Sequence, residues 1–357
     1  RLGGRRPRDR PRRGLQDQDA VTQAPLLVPV GDPAGVGPGV AITAAARAIH
    51  DDRVVLLGDA LWLTRMASAR GIDTRVVTSV AEAQVGELAL LHVATWTEAM
   101  VDSHAPSAAG GEAQLTALDE AITLVLAGHG RAVVTGPTSK EAIVSAGHAF
   151  VGQTERLAQR AGLHDDDVTM MFLGPRLCVA LVTTHLALGD VPREVTAPRV
   201  RRATMHLMEA LARAESARPL RVLVSGLNPH AGEHGLFGHE EALAIEPALR
   251  DLLDHPLVMS GAVVLEGPVP AEAAFRYASS GRAHGVVAMY HDQATIASKL
   301  LDWGSAVNVT WGLPFVRTSV DHGVAYDAAR DDCAEDEGMV AAIEMAQRLT
   351  RLPVGAS

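Results

Sequence analysis

Cysteine is almost missing from this sequence: the only two copies, Cys178 and Cys333, lie far apart and make no CxxC spacing. That excludes a disulfide framework and a thiolate-built metal site, and it fits a reducing, cytoplasmic setting. Aromatic residues are scarce as well, at 3%, too few for the stacking platforms of a single-stranded nucleic-acid binder. Basic excess is absent, and the formal charge of -10 repels a phosphate backbone, so no nucleic-acid partner is expected. No apolar run approaches the roughly 20 residues that a bilayer span needs, so no membrane partner is expected either. Residues 1–24 are Arg- and Pro-rich without the apolar stretch of a signal peptide, and they read as a disordered basic tail.

From Pro25 onward, short Val/Leu/Ile runs alternate with Ala-rich amphipathic segments, the pattern of βα units around a mostly parallel sheet. Strands are expected at 26–30, 53–57, 132–135, 170–173, 177–183, 221–226 and 285–290. Helices are expected at 38–50, 59–70, 112–128, 153–162, 197–217, 239–253, 270–281 and 335–351. A chain of 357 residues suits two α/β domains with a cleft between them. Polar and Gly-rich motifs recur where strands end: GDPAGVGPG, TGPTSK, TTH, GLNPHAGE and YHDQ. Ligands of open α/β sheets bind beyond the carboxyl ends of strands, so these ends point at one shared site.

Three histidines follow expected strands directly: His185 in TTHLAL, His230 in GLNPHAGE and His291 in YHDQ. A neutral imidazole fixed at a strand end is a good ligand for zinc, and acceptable to cobalt or manganese. The plainer alternative, a solvated or hydrogen-bonded histidine, stays open for each. Context separates them from His50, His129 and His206, which fall in or at the ends of helices, because Asn228, Glu233, Asp292 and Gln293 stand ready to orient them.

The GDPAGVGPG turn at 31–39 joins a strand to a helix, and its glycines let backbone N–H groups approach an anion. It is not the GxGxxG dinucleotide fingerprint, since Pro33 and Pro38 interrupt it, and a tight turn without a ligand is the alternative. Lys299 lies eight residues after His291, and Asn308 and Arg317 follow in VNVTWGLPFVRTSVDHG. Lysine and arginine in that order suit a phosphomonoester clamp. Arg317 falls in what reads as a Gly/Pro-framed apolar loop, where an unpaired charge is costly, so either a ligand or a protein carboxylate is expected beside it.

The motifs GDPAGVGPG, TGPTSKEAI, GQTERLA, TTHLAL, GLNPHAGEHGLFGHEE, EGPVPAEAAF, YHDQATIASKLL and VNVTWGLPFVRTSVDHGVAYDAA, in this order, resemble the 4-hydroxythreonine-4-phosphate dehydrogenase family from about residue 26 to the end. The resemblance implies an isocitrate/isopropylmalate dehydrogenase type of α/β fold with two α/β/α domains: residues 25–135 with 300–353 on the cofactor side, and residues 136–299 on the metal and dimer side. It implies a homodimer whose divalent ion (zinc, cobalt, magnesium or manganese) is held by His185, His230 and His291 drawn from both subunits. It assigns the small phosphorylated substrate to Gln153, Thr154, Lys299, Asn308 and Arg317. Among these Lys299, with Asp292 beside His291, is a candidate catalytic residue, and Lys140 is a weaker candidate for substrate contact. NAD is implied at Gly31, Asp32, Gly35 and Gly37 and at His322 and Asp327 of DHGVAYDAA.

The chain departs from that pattern at three places. The family's GHTE reads GQTE, so Gln153 replaces a histidine, and an amide cannot carry a proton at neutral pH. Gly39 stands where the family usually has Glu, and Glu272 where it usually has Asp. The expected reaction is oxidation and decarboxylation of 4-phosphohydroxy-L-threonine, or of D-threonate 4-phosphate in a related branch. A non-redox metal-dependent sugar-phosphate lyase and a non-catalytic binding protein are the competing expectations.

Overall fold

The computed structural model describes residues 24–331 and 333–351; the expected basic tail falls on residues 1–23 and Ala24, almost wholly outside them. Twelve strands form one sheet: β1 (Leu26–Pro29), β2 (Val54–Gly58), β3 (Thr74–Val77), β4 (Leu88–His92), β5 (Ala132–Thr135), β6 (Thr169–Leu173), β7 (Cys178–Leu181), β8 (Leu220–Ser225), β9 (Val263–Val269), β10 (Gly285–Ala288), β11 (Val307–Trp311) and β12 (Val316–Ser319). Their spatial order is β3-β4-β2-β1-β5-β12-β11-β6-β7-β10-β8-β9. The pairs β6–β7, β6–β11 and β11–β12 are antiparallel and the other pairs parallel. The sheet is therefore mostly parallel, as the βα alternation suggests, with its antiparallel pairs gathered at the centre.

The principal helices are α1 (Gly37–Ala48), α2 (Ala60–Ser68), α3 (Ala108–Leu126), α4 (Lys140–Ser145), α5 (Gln153–Arg160), α6 (Ala197–Ala214), α7 (Ala271–Ser279), α8 (His291–Leu301) and α9 (Glu337–Thr350). Local chemistry starts several of them. Ser107 caps α3 by accepting from the Gly110 N–H, and Asp59 caps α2 by accepting from Leu61 and Trp62. In α6, Val200, Ala203, Thr204, Leu207, Met208 and Leu211 recur at helical spacing and are buried, so this face packs on the sheet.

Strand alternation places the cleft. Leu26, Val28, Val54, Leu56, Met171, Leu173, Val222 and Val224 point to one face, and a single apolar cluster covers that face across both halves of the sheet. On the opposite face the core is divided. Leu27, Val55, Leu57 and Val133 build one cluster, and Phe172, Val179, Leu181 and Val286 build another. Between them lie β11 and β12, whose Val307, Val309, Trp311 and Val316 belong to the continuous core. Their alternate residues Asn308, Thr310, Arg317 and Ser319 therefore face the gap.

The strands β3, β4, β9, β11 and β12 have no counterpart among the expected ones. β3 and β9 are the two edges of the sheet, and β9 contains Pro268, which a central strand does not tolerate. Arg317 accordingly sits on a strand, not in the loop that its flanking Gly and Pro suggest. Packing also crosses the boundary expected at residue 135. Ile143 of α4 and Phe150 and Leu157 near and in α5 pack with Leu115, Leu118 and Ile122 of α3, so these helices belong with the first half.

The glycines of the 31–39 turn are set by close backbone approach. At Gly31, with φ +90°, a Cβ would lie 2.2 Å from the Pro137 carbonyl oxygen, and at Gly35 it would lie 2.2 Å from Val324 Cγ1. Gly31→Ala is expected to cost about 2–5 kcal/mol of stability, from backbone overlap and left-handed strain together, as read by urea unfolding. A loss below about 1 kcal/mol, the size of an ordinary surface change, contradicts this packing. The half-buried Cys178 packs against the main core, and burial pushes its thiol up to about 12, whereas Cys333 is exposed. A thiol reagent is expected to label Cys333 rapidly in the native chain and Cys178 only after unfolding, which peptide mapping checks.

Candidate active site

The gap between the divided cores is a cavity of about 420 Å³ lined by Thr138, Gln153, Thr154, Thr184, His185, Asn308, Arg317, Ser319 and His322, among others. Its floor is Arg317, 3% exposed. Nη1 donates to Thr310 Oγ1 at 3.0 Å, directly across the β11–β12 pairing. Nη2 donates to Thr135 Oγ1 at 2.9 Å and to Gln153 Oε1 at 2.5 Å. Nε is buried without a partner, and among the described residues no carboxylate pairs with this guanidinium. Of the two partners expected for it, the protein carboxylate is absent. Burial pulls the group down to about 10, with Glu155 opposing at a distance, so it remains charged at neutral pH. Asn308 Oδ1, also buried and lining the cavity, has no partner either.

A second part of the lining comes from the end of β7, with Thr183, Thr184, His185 and Leu186. His185 follows β7, and its ring lies 5.5 Å from that of His291 at the start of α8, tilted by 47°. His291 Nδ1 is 2.8 Å from Asp292 Oδ1, so the carboxylate sets the ring and leaves Nε2 outward. Asp292 thus orients a histidine. His230 is on a separate loop, stacked obliquely on Phe237 at 6.1 Å. Among the described residues no three His, Cys, Asp or Glu side chains of one chain close around a common point. One chain brings two of the three candidate histidines together.

The loop that carries His230 is left-handed: His230, Ala231, Gly232, Glu233 and His234 all have positive φ between 42° and 78°. Such a run costs roughly 1–2 kcal/mol for each non-glycine residue, and sequence reasoning does not reveal it. Glu241, buried, holds its base by accepting from the Leu227 and Asn228 N–H groups and from Asn228 Nδ2.

Lys299 does not join Arg317 in one chain. It pairs with Asp321 at 3.3 Å and borders a neighbouring cavity of about 520 Å³ with Trp303, Asp321, His322, Gly323 and Ala325. The single Lys/Arg clamp suggested by the sequence is thus two separate cations, because Lys299 lies on the open side of α8 beside an acidic residue. Burial pushes Asp321 up while Lys299 opposes it. His322 and Gly323 line both cavities and connect them.

The 31–39 turn is closed from inside. The N–H groups of Asp32, Gly35 and Val36 go to Pro137, Asp32 and Val324 carbonyls. The buried Asp32 carboxylate accepts from Ala34 N, Gln114 Nε2 and Tyr326 Oη. The Asp32 and Gly35 N–H groups are thus engaged within the protein, and this turn packs against the segments of Pro137 and Val324. Asp327 is exposed and pairs with Arg330. Lys140 is exposed at the start of α4, behind the Ser139 cap, and does not line the main cavity. Thr135, Thr310 and Thr138 are the site residues that the sequence reading misses. The alternation V-N-V-T-W places Thr310 beside Asn308 on one face and is the signal that finds it.

Strand ends gathered around a polar, cation-floored cavity make the chain an α/β enzyme. A sequence model of the family described as pyridoxal phosphate biosynthetic protein PdxA matches residues 50–346, and the chain belongs to this family. It is 41% identical over 337 residues to the 4-hydroxythreonine-4-phosphate dehydrogenase of Geobacter metallireducens, an alignment covering 93% of this chain and 97% of that one. It is 35% identical over 332 residues to the D-threonate 4-phosphate dehydrogenase of Salmonella typhimurium, covering 91% and 98%. The crystal structure of 4-hydroxythreonine-4-phosphate dehydrogenase from Klebsiella pneumoniae matches with a TM-score of 0.76 at 33% identity, covering 92% of this chain and all of that one. The chain is an oxidoreductase of the dehydrogenase type.

Proposed function

We propose that this enzyme uses NAD and one divalent ion to oxidise and decarboxylate a phosphorylated four-carbon hydroxy acid. The observation that carries the reading is Arg317, a buried guanidinium on the floor of the cavity with no carboxylate hydrogen-bonded to it among the described residues. A buried cation without a counter-ion is costly, and a phosphate supplies both the charge and the acceptors it lacks. Asn308 and Thr154 stand beside it to hold the remaining oxygens. The other end of the substrate then reaches His185 and His291.

The donors fit a divalent ion in part: two imidazoles converge, one of them set by a carboxylate, and a third ligand has to come from elsewhere. His230 of a second copy is the proposed source. The segments that carry these histidines support it, since each exposes apolar side chains: Leu188 beside His185, Leu236 and Phe237 beside His230, and Ile296 and Leu300 on α8. Exposed apolar side chains gathered on the segments that carry the site favour an interface, and a homodimer is the proposed cover. Lys299 and Asp292 lie on the same open side of α8 and enter the shared site there. NAD is assigned to the adjoining cavity, with His322 at the junction, the glycine turn behind it and Asp327 near its edge.

A bound ion would supply Lewis acidity to the hydroxyl-bearing end of the substrate, and a bound nicotinamide would supply the hydride acceptor. The chain's own residues supply position. Arg317 and Asn308 anchor the remote phosphate so that its binding energy aligns the reacting carbon with the histidines. Asp292 keeps the His291 ring in one orientation and one tautomer.

4-Phosphohydroxy-L-threonine, giving 3-amino-2-oxopropyl phosphate and CO2, is the first substrate reading. D-Threonate 4-phosphate, giving dihydroxyacetone phosphate and CO2, is the second. The test is absorbance of the reduced nicotinamide with each acid, NAD and added divalent ions. Turnover of one of them without accompanying reduction of NAD makes the chain a lyase and sinks the proposal, as does metal and ligand binding with no turnover of either.

A further inference from the structure

The Gln153 side chain has no hydrogen bond left to give. Its Oε1 accepts from Thr135 Oγ1 at 2.7 Å and from Arg317 Nη2 at 2.5 Å. Its Nε2 donates to the Gly136 carbonyl at 2.9 Å and to Thr138 Oγ1 at 3.0 Å. A primary amide has two N–H donors and two acceptor positions, and all four are used within the protein. The donors also fix its orientation, because turning the amide over would set its N–H groups against those of Arg317. Thr135 closes the triangle: its hydroxyl donates to Gln153 and accepts from Arg317 Nη2.

Arg317 shows what this arrangement accomplishes. Of the five N–H bonds of a guanidinium, three are spent on Thr310, Thr135 and Gln153, and the buried Nε–H is among those left over. Every partner is neutral. A carboxylate at position 153 would accept the same two hydrogen bonds but cancel the charge. An amide accepts them and leaves the charge whole.

We infer that Gln153 is a positioning residue that holds Arg317 in place as a cation with no carboxylate hydrogen-bonded to it and makes no contact with the ligand, so that this end of the cavity binds an oxyanion through the Arg317 charge and not through position 153. The inference rests on the proposed phosphate seat at Arg317 and specifies how that seat is kept charged and rigid. It also places the discrimination between substrate amino and hydroxyl groups elsewhere in the cavity, since Gln153 has nothing to offer either.

Sulfate, a tetrahedral dianion across neutral pH, is the probe, measured by calorimetry on the full chain. Gln153→Met keeps the bulk and loses the hydrogen bonds, and is expected to weaken sulfate about tenfold, the worth of one bond to a charged group. Gln153→Glu, which neutralises the guanidinium, is expected to weaken it by about a hundredfold. In an Arg317→Lys background, which binds sulfate through a single ammonium that the Gln153–Thr135 pair does not hold, Gln153→Met is expected to add no further loss. An equal loss in both backgrounds means that Gln153 touches the anion and overturns the inference, as does unchanged affinity in Gln153→Glu. If Gln153→Met does not fold, as judged by circular dichroism, Gln153→Asn replaces it, with the same amide too short to reach Arg317. Wild-type sulfate affinity in an Arg317→Met chain sinks the anion seat itself, a different failure from additivity at Gln153.

Discussion

Replacing Arg317 with methionine is expected to raise KM for the phosphorylated substrate on the order of a hundredfold or more while the protein stays folded. Arg317 lines the cavity with a charge to which no carboxylate among the described residues is hydrogen-bonded, and a hydrogen bond to a charged group is worth about 1.5–3 kcal/mol. The same substitution lifts the cost of burying a cation that no carboxylate neutralises, which offsets the loss of its bonds to Thr135, Thr310 and Gln153. Stability should therefore move by no more than about 2 kcal/mol. Binding and folding part company at this residue. Steady-state kinetics together with urea unfolding read both halves, and a KM within about threefold of wild type contradicts the phosphate assignment.

His230→Ala should have a larger effect on turnover and little on KM. His230 lies on an exposed, left-handed loop away from the core, so truncating it leaves the packing in place. If it completes the ion's ligand set, its loss removes several kcal/mol of charge stabilisation and kcat falls about a thousandfold or more. Bound metal, measured on the purified protein, should fall with kcat. His206→Ala is the contrasting case, because His206 is buried, bonds to Thr169 and is pulled down to about 4 by burial. That change is expected to cost stability without removing metal. Unchanged metal content in His230→Ala contradicts the assignment of this histidine.

The two kinds of information in the sequence fared differently against the structure. Hydrophobic patterning reveals β1, β2, β5, β7, β8 and β10 because each is an apolar run covered on both faces. It misses β11 and β12, although Val307, Val309 and Trp311 alternate with Asn308 and Thr310, because these strands have one face in the core and one in the cleft. Their polar residues read as loop for the same reason that they line the site. The cost of an unpaired Arg317 is legible in its apolar neighbours. That its partners are Thr135, Thr310 and Gln153 is not, since they reach it from β5, β11 and α5 through long-range pairing. The glycines at 31–39 announce a close approach, and the approaching protein atoms, those of Pro137 and Val324, come from distant segments that the sequence does not point to. Lys299 is drawn toward Arg317 by its place in the sequence, and only the fold brings Asp321 beside it. His230 is the hardest case, because hydrophobic periodicity carries no trace of the left-handed loop that sets it apart from His185 and His291.

The central claim is that His185 and His291 of one chain are completed by His230 of another, beside the anion seat. Mixing inactive His230→Ala and His291→Ala chains under conditions that allow subunit exchange tests it most directly. In a mixed dimer one site keeps all three histidines and the other keeps only His185. Random exchange of equal amounts then restores roughly a quarter of wild-type activity, as a closed twofold arrangement requires. If the mixture stays as inactive as its parents after exchange is shown to have occurred, each site is built from a single chain and the account is wrong.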